Sequence, residues 1–255
     1  MAEPESNPGL DRVRHALRVT GVPSDAPSPL RSGVHTRGYL PHVKREGSSY
    51  FITFRLGDSL PQEVLLEFKR EQSEKIRALV ETNQAAREEV DRDFQRQVER
   101  YLDRGVGECH LKRPDIADMV AEALLHFDEE QYVLDDWVIM PNHVHLILWP
   151  MPNHTLSDIL RSRKRHMARQ ANIILGRTGE TFWQHESYDH WIRNDEEKSR
   201  IRRYIRNNPV KTGLCGAPED WRWGSAHLGK GEAGRLAIGD TADCQSALRG
   251  RSAPQ

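Results

Sequence analysis

The sequence predicts an α+β fold in which one antiparallel-containing sheet carries packed helices and a projecting helical insertion. Three observations predict it. Short aromatic and β-branched runs bounded by turn signals stand at 49–56 and 132–149. Apolar residues recur at helical spacing through 62–104, 114–127, 155–175 and 195–206. With a short candidate strand inside 105–111, the order reads strand, helix, strand, helix, strand, strand, helix, helix. One sheet with helices packed on it is the simplest layout for so few strands. The split β-α-β (ferredoxin-like) arrangement fits that order best.

Residues 1–47 contain Pro4, Pro8, Pro23, Pro27, Pro29 and Pro41 and few large apolar groups. So little apolar surface does not offset the entropy of ordering the chain, and the segment reads as flexible. The first confident element is 49–56, SYFITFRL, closed by Gly57-Asp58. Ser59 can cap the long helical stretch that follows, with Pro61 near its first turn. Leu65, Phe68, Ile76, Leu79, Val90, Phe94, Val98 and Tyr101 line one side, but 81–92 is nearly all polar. So thin a stripe predicts a helix, or a broken pair, that projects from the core.

Pro114 to Phe127 is an amphipathic helix, with Ile116, Met119, Val120, Ala123, Leu124 and Phe127 as its buried stripe. Gln131 to Trp149 reads as two strands joined by a tight Met140-Pro141-Asn142 turn, with Asp135 and Asp136 as turn residues. Thr155 caps a helix to about Leu175. A Trp/His-rich connection follows at 181–194, and a last helix runs from about Asp195 to Arg206 and stops at Asn208-Pro209. From Gly229 onward Gly, Ala and Ser dominate, so 229–255 reads as a flexible tail. The folded domain is therefore 48–228, with its insertion at 62–104.

Composition excludes several classes. Cys109, Cys215 and Cys244 are far apart and odd in number, against a disulfide framework or a thiolate zinc site. No apolar run approaches the roughly 20 residues of a membrane span, and no secretory leader is visible at MAEPESNPG. The reading is a soluble cytoplasmic protein. A net charge of −1 neither favours nor excludes nucleic acid, because phosphate binding needs a local basic face.

Two features carry chemistry. Side chains alternate along a strand, so His143 and His145 point the same way and Val144 points into the opposite layer. Such a pair is half of a divalent-metal site, or one of the two is a hydrogen-bonded core histidine. In the last helix Tyr204 stands among Lys198, Arg200, Arg202, Arg203 and Arg206, four residues from Asn208. That spacing places both on one helix face. The helix is either a cationic binding surface or a solvated face with a packed tyrosine.

These residues resemble a known family. Trp137 to Leu148, W-x-x-MPNHVHL-x-L, resembles the His-hydrophobe-His motif of the HUH single-strand DNA endonucleases. Tyr204 to Leu214 resembles the tyrosine motif of the single-tyrosine transposases. FWQHESYDHWIRNDEE (182–197), GYLPHVKREGSSYFITFRLGDSLP (38–61) and PEDWRWGSA (218–226) resemble the REP-associated tyrosine transposase branch. The resemblance covers about 38–226.

The resemblance implies a divalent ion, Mg2+ or Mn2+, held by His143, His145 and an amide or carboxylate four residues past the tyrosine. Family members often have Gln there, and this chain has the shorter Asn208. It implies that Tyr204 forms a covalent 5′-phosphotyrosine on single-stranded or hairpin DNA, with REP-like palindromes as substrates. It also implies a monomer or homodimer that is nucleoid-associated when bound to DNA. Arg161, Arg163, Lys164, Arg165 and Arg169 on one helix, and Arg202, Arg203, Arg206 and Lys211 around the tyrosine, are the DNA-contact candidates. Trp183, Tyr188 and Trp191 either stack on unpaired bases or pack the core. The rival expectation is a non-catalytic hairpin-binding protein with a vestigial metal site.

Overall fold

The structure, a computed structural model, describes residues 33–36, 41–44, 48–79 and 84–228. The ends read as flexible, 1–47 and 229–255, lie outside the described residues apart from two short strands. These are β1 (Gly33–Thr36) and β2 (Pro41–Lys44), which pair antiparallel as a ribbon of their own.

The main sheet has four strands: β3 (Tyr50–Arg55), β4 (Tyr132–Ile139), β5 (His143–Pro150) and β6 (Tyr188–Trp191). Their spatial order is β4-β5-β3-β6, and every neighbouring pair is antiparallel. Helix α3 (Pro114–Leu125) lies between β3 and β4 in sequence, and α4 (Leu156–Leu175) between β5 and β6. That is the split β-α-β arrangement. Inserted between β3 and α3 are α1 (Gln62–Ala78) and α2 (Gln84–Leu102). After β6 come α5 (Asp195–Lys211) and the single turn α6 (Ser225–Leu228).

Strict alternation on the central strands builds two layers. Tyr50, Ile52 and Phe54 of β3 and Val144, Leu146 and Leu148 of β5 join Ile116, Val120 and Leu124 of α3 and Ile159 and Met167 of α4 in the main core. The opposite face gathers Phe51, Val138, Ile147 and Ile192 against Ile205 of α5. The two histidines belong to this second face, in register with Arg55 and Thr53 of β3.

The insertion is a broken pair, as the thin stripe predicts. Helices α1 and α2 run antiparallel, with Phe68 edge-on to Tyr101 and Gln72 bonded to Asp91 at 2.8 Å. Leu60, Leu65, Phe94, Val98 and Leu102 give the pair a small core of its own. Among the described residues no helix is long and apolar enough to cross a membrane.

Four expectations need correcting. Ser59 does not cap α1; Pro61 holds the cap position, while the buried Ser59 hydroxyl donates to Leu56 O at 2.8 Å. No strand forms within 105–111; Cys109 sits at φ 52°, and the chain enters a 3-10 turn, His110–Lys112. The fourth strand is β6, inside the stretch read as a connection, where YDHW pairs with β3. Helix α5 does not stop before Pro209 but carries it, running on to Lys211. Proline costs a helix one hydrogen bond and crowds the preceding turn; near the helix end, with Asn208 and Pro209 buried, packing overrides that cost.

A further difference lies at Asp135-Asp136. They are not in a turn but in β4, where the register with β5 shifts between Leu134 and Trp137. This bulge turns both carboxylates toward α5. Asp135 takes Lys198 at 2.8 Å and Arg202 at 2.5 Å, and Asp136 takes Arg206 at 3.0 Å. Ser225 also donates to Asp136, at 2.7 Å. The bulge thus fastens the tyrosine helix to the sheet.

Candidate active site

His143 and His145 converge. Their Nε2 atoms lie 3.0 Å apart, and both side chains are buried. The outer nitrogens are held from behind. Asn142 donates its amide nitrogen to Leu102 O at 3.2 Å and Val106 O at 3.0 Å, which orients its oxygen toward His143 Nδ1 at 2.7 Å. An oxygen there requires a proton on Nδ1, leaving a lone pair on Nε2. His145 Nδ1 meets the Thr53 hydroxyl at 2.8 Å. A hydroxyl donates or accepts, so His145 can present either a proton or a lone pair at Nε2.

Burial lowers His143 to about 3, with the nearby charges of Arg55 and Lys211 adding to it. Burial, then His143 and Lys211, push His145 well below the usual imidazole value. Both rings are neutral, the form in which imidazole binds metal.

Tyr204 and Asn208 approach from α5. Tyr204 Oη is 3.3 Å from His145 Nε2, and its ring lies edge-on to Phe51 and His145. Asn208 is fully buried and its side chain faces the Tyr204 phenol, but among the described residues neither its Oδ1 nor its Nδ2 meets a partner in full hydrogen-bond geometry. A buried amide left so is costly unless something occupies its oxygen. Two ligands each about 2.1 Å from one ion at right angles stand about 3.0 Å apart, which is the imidazole spacing here. Two neutral imidazoles with an orphaned amide oxygen four residues past the tyrosine therefore fit a divalent ion. Among the described residues no cluster of three or more His, Cys, Asp or Glu side chains is placed to hold one; Asn208, an amide, is outside those residue types.

The phenol has a partner that the sequence reading missed. Tyr204 Oη donates to Glu99 Oε2 at 2.9 Å, from the far end of the insertion. Burial, then the charge and hydrogen bond of Glu99 and the charge of Asp103, raise Tyr204 well above the ordinary phenol value, while Asn208 opposes this. Arg55 is the second omission. It sits directly across from His143 in the β3–β5 register, and burial lowers it to about 10 against the opposing charge of Glu186. No local pattern signals either residue, since one depends on strand register and the other on how the insertion folds back.

The nine cationic candidates divide. Lys164 turns inward, donating to Gln184 O, His185 O and Ser187 Oγ at 2.7–3.0 Å. Arg163 lies 4.1 Å above the Phe127 ring, and Arg161 pairs with Asp158 at 2.7 Å. Arg202 and Arg206 hold the β4 bulge, and Lys211 pairs with Asp103 at 2.7 Å. Arg165, Arg169 and Arg203 are exposed. Of the aromatic candidates, Trp183 packs the core, edge-on to Phe54 at 4.8 Å, and Trp191 packs against the same core from its rim. Tyr188 stays on the histidine face, half-buried beside Phe51. His190 bonds Glu197 at 3.0 Å.

The buried His-x-His pair faces a helix-borne tyrosine, and sequence comparison finds relatives for this part of the chain. Residues 113–208, from the start of α3 to Asn208, match the family model of IS200-like transposases. The resemblance read from the motifs is borne out there. The chain is 29% identical over 110 residues to the REP-associated tyrosine transposase of Escherichia coli strain K12. That match covers 43% of this chain and 64% of the relative, a little under two thirds of its length. Among solved structures, a REP-associated tyrosine transposase bound to a REP hairpin aligns with 18% identity and a TM-score of 0.42. The alignment covers 82% of this chain and 97% of that one. A putative transposase from Deinococcus radiodurans aligns with 16% identity and a TM-score of 0.27, over 68% and 96% of the two chains.

Proposed function

We propose that this chain is a metal-dependent DNA transposase that nicks and rejoins single-stranded or hairpin DNA through a covalent 5′-phosphotyrosine on Tyr204. The observation that carries the reading is Tyr204 Oη at 3.3 Å from His145 Nε2, beside the buried, unpartnered Asn208 amide.

His143 and His145 through Nε2, with Asn208 through Oδ1, would hold Mg2+ or Mn2+. The ion would polarise the scissile phosphate as a Lewis acid. Asn142 and Thr53 fix the rings so that the inner nitrogens face that position. Tyr204 Oη attacks phosphorus, the P–O3′ bond breaks, and a 3′-hydroxyl departs. The phosphodiester linkage is conserved in the phosphotyrosine, so attack by a 3′-hydroxyl reverses the step and joins strands. Arg165, Arg169 and Arg203 meet the backbone phosphates. One nucleophilic tyrosine per chain means that two successive transfers take two chains or that tyrosine used twice. By likeness to the REP-associated relatives, the substrates are palindromic repeats.

The test uses labelled hairpin oligonucleotides with Mg2+ or Mn2+ and a denaturing gel. A metal-dependent covalent adduct, absent from Tyr204→Phe and His143→Ala, supports the reading. Tight hairpin binding without any adduct across substrates and metals overturns it in favour of a binding protein. Metal-dependent cleavage that survives Tyr204→Phe overturns it in favour of hydrolysis.

A further inference from the structure

The chemistry above leaves unstated where the tyrosine proton goes. Tyr204 Oη lies 3.3 Å from His145 Nε2 and 2.9 Å from Glu99 Oε2, and the Asn208 side chain, an amide that takes no proton, also faces it. With His145 Nε2 holding the ion, as in the function proposed above, the remaining proton acceptor is the carboxylate. Glu99 projects from α2, on the insertion, and its second oxygen takes a long bond from Gln95 at 3.4 Å. Burial pushes the carboxyl above the ordinary carboxylate range; the hydrogen bonds from Tyr204 and Gln95 and the charge of Lys211 oppose this, and Asp103 adds to it. One turn on, Asp103 pairs with Lys211 of α5, whose ammonium lies 5.9 Å from the centre of the Tyr204 ring. The insertion is thereby clamped to the tyrosine helix, with Glu99 at the middle of the contact. A desolvated carboxylate aimed at a phenol is a poor packing choice and a good base, because burial raises its appetite for a proton.

We propose that Glu99 is the proton acceptor for Tyr204, so that the helical insertion completes the active site rather than decorating it. The inference rests on Tyr204 being the nucleophile. As the Oη–P bond forms and P–O3′ breaks, the phenol proton passes to Glu99 Oε2 and the P–O3′ electron pair leaves on the 3′ oxygen. That oxygen takes a proton from water. In the joining direction a 3′-hydroxyl loses its proton to water as it attacks phosphorus, and protonated Glu99 returns its proton to the departing Tyr204 Oη. One carboxyl serves both directions, and no redox partner is needed.

The experiment compares full-length wild type, Glu99→Gln, Glu99→Ala and Tyr204→Phe. Three quantities are read: single-turnover adduct formation on a hairpin oligonucleotide, hairpin affinity, and Mn2+ affinity by calorimetry. The expected result is a loss of about 100-fold or more in adduct rate for both Glu99 variants. Hairpin and Mn2+ affinities stay within about threefold of wild type, since transition-state and binding losses separate. Added formate restores the Glu99→Ala rate in proportion to its concentration and leaves Tyr204→Phe inert, which a merely structural role would not produce. A Glu99→Gln rate equal to wild type overturns the proposal, because an acceptor that takes no proton then suffices. A faster rate overturns it by making Glu99 a restraint on the tyrosine. A Mn2+ affinity weakened about tenfold or more overturns it by making Glu99 a ligand. If wild type itself forms no adduct, the nucleophile reading falls and takes this one with it; loss confined to the Glu99 variants leaves that reading standing.

Discussion

Replacing Asn142 with alanine tests whether one buried amide supports both the fold and the histidine pair. The side chain is fully buried and makes three hydrogen bonds: to Leu102 O, to Val106 O and from His143 Nδ1. Each buried group left without a partner costs about 1–3 kcal/mol. Val106 lies at the part-buried edge of the cluster, so its carbonyl recovers some solvation from water. The sum is about 3–5 kcal/mol, a large share of the roughly 5–15 kcal/mol that holds a domain together. Urea denaturation reads that loss. The same substitution frees His143 to rotate and to change tautomer, so Mn2+ affinity falls about 10–100-fold, the usual cost of losing a ligand's outer support. Calorimetry on protein kept below its unfolding transition measures it. A stability loss under about 1 kcal/mol with unchanged Mn2+ affinity would refute the reasoning, since the bonds would then carry neither stability nor orientation.

Three further outcomes are expected. Burial lowers Lys164 to about 8, so between about 8 and its unfolded value near 10.4 the unfolded chain binds more protons than the folded one. Stability from this group therefore rises with pH across that window; Lys164→Met removes the slope in urea denaturation, and parallel slopes would contradict the assignment. Gly107 has φ +92°, and an added Cβ would stand 2.8 Å from Asp58 Oδ2 and 3.0 Å from Asp58 O. Gly107→Ala should thus cost about 1–3 kcal/mol in thermal melts, and a neutral result would mean the loop relocates freely. Arg203→Ala should weaken hairpin binding and reduce the magnitude of the salt dependence by about one phosphate contact while leaving stability nearly unchanged. Arg202→Ala, which releases Asp135 in the bulge, should show the opposite pattern; identical behaviour of the two would erase the distinction between exposed and structural arginines.

Much of the fold was legible because its strands are short and strongly patterned. SYFITFRL and the HVHLILW run are aromatic and β-branched strands buried on both faces, and the alternation of side-chain direction along a strand places both histidines on one face. Helices α3 and α4 announce themselves by Pro114 in the first turn and by Thr155, whose side chain accepts from Asp158 N. β6 was not legible. YDHW is four residues long, half-buried throughout and polar at its centre, so it becomes a strand only because β3 offers it an edge. The helical state of Asn208 was hidden by the local preference of a residue before proline, which burial overrode. The site divides the same way. His143, His145, Tyr204 and Asn208 stand in compact motifs. Glu99 lies in a charged helical run where nothing sets it apart from its neighbours, and Thr53 and Arg55 gain meaning only from their pairing with β5. Lys164 reads as one more surface cation until its helix is placed against the connection it anchors.

The distances along the chain between the parts of the site have a kinetic consequence. Tyr204 meets His145 across 59 residues, Thr53 meets His145 across 92, and Glu99 meets Tyr204 across 105. Contacts of such long loop length are the slow ones to close, because their entropy is lost before any of their energy is gained. The central strands must pair before the histidines have their backing, and α5 must dock before either histidine has a tyrosine. A half-folded chain, whether newly made or locally opened, therefore holds no assembled site. The histidine–tyrosine site exists only in the one state in which every element is in place.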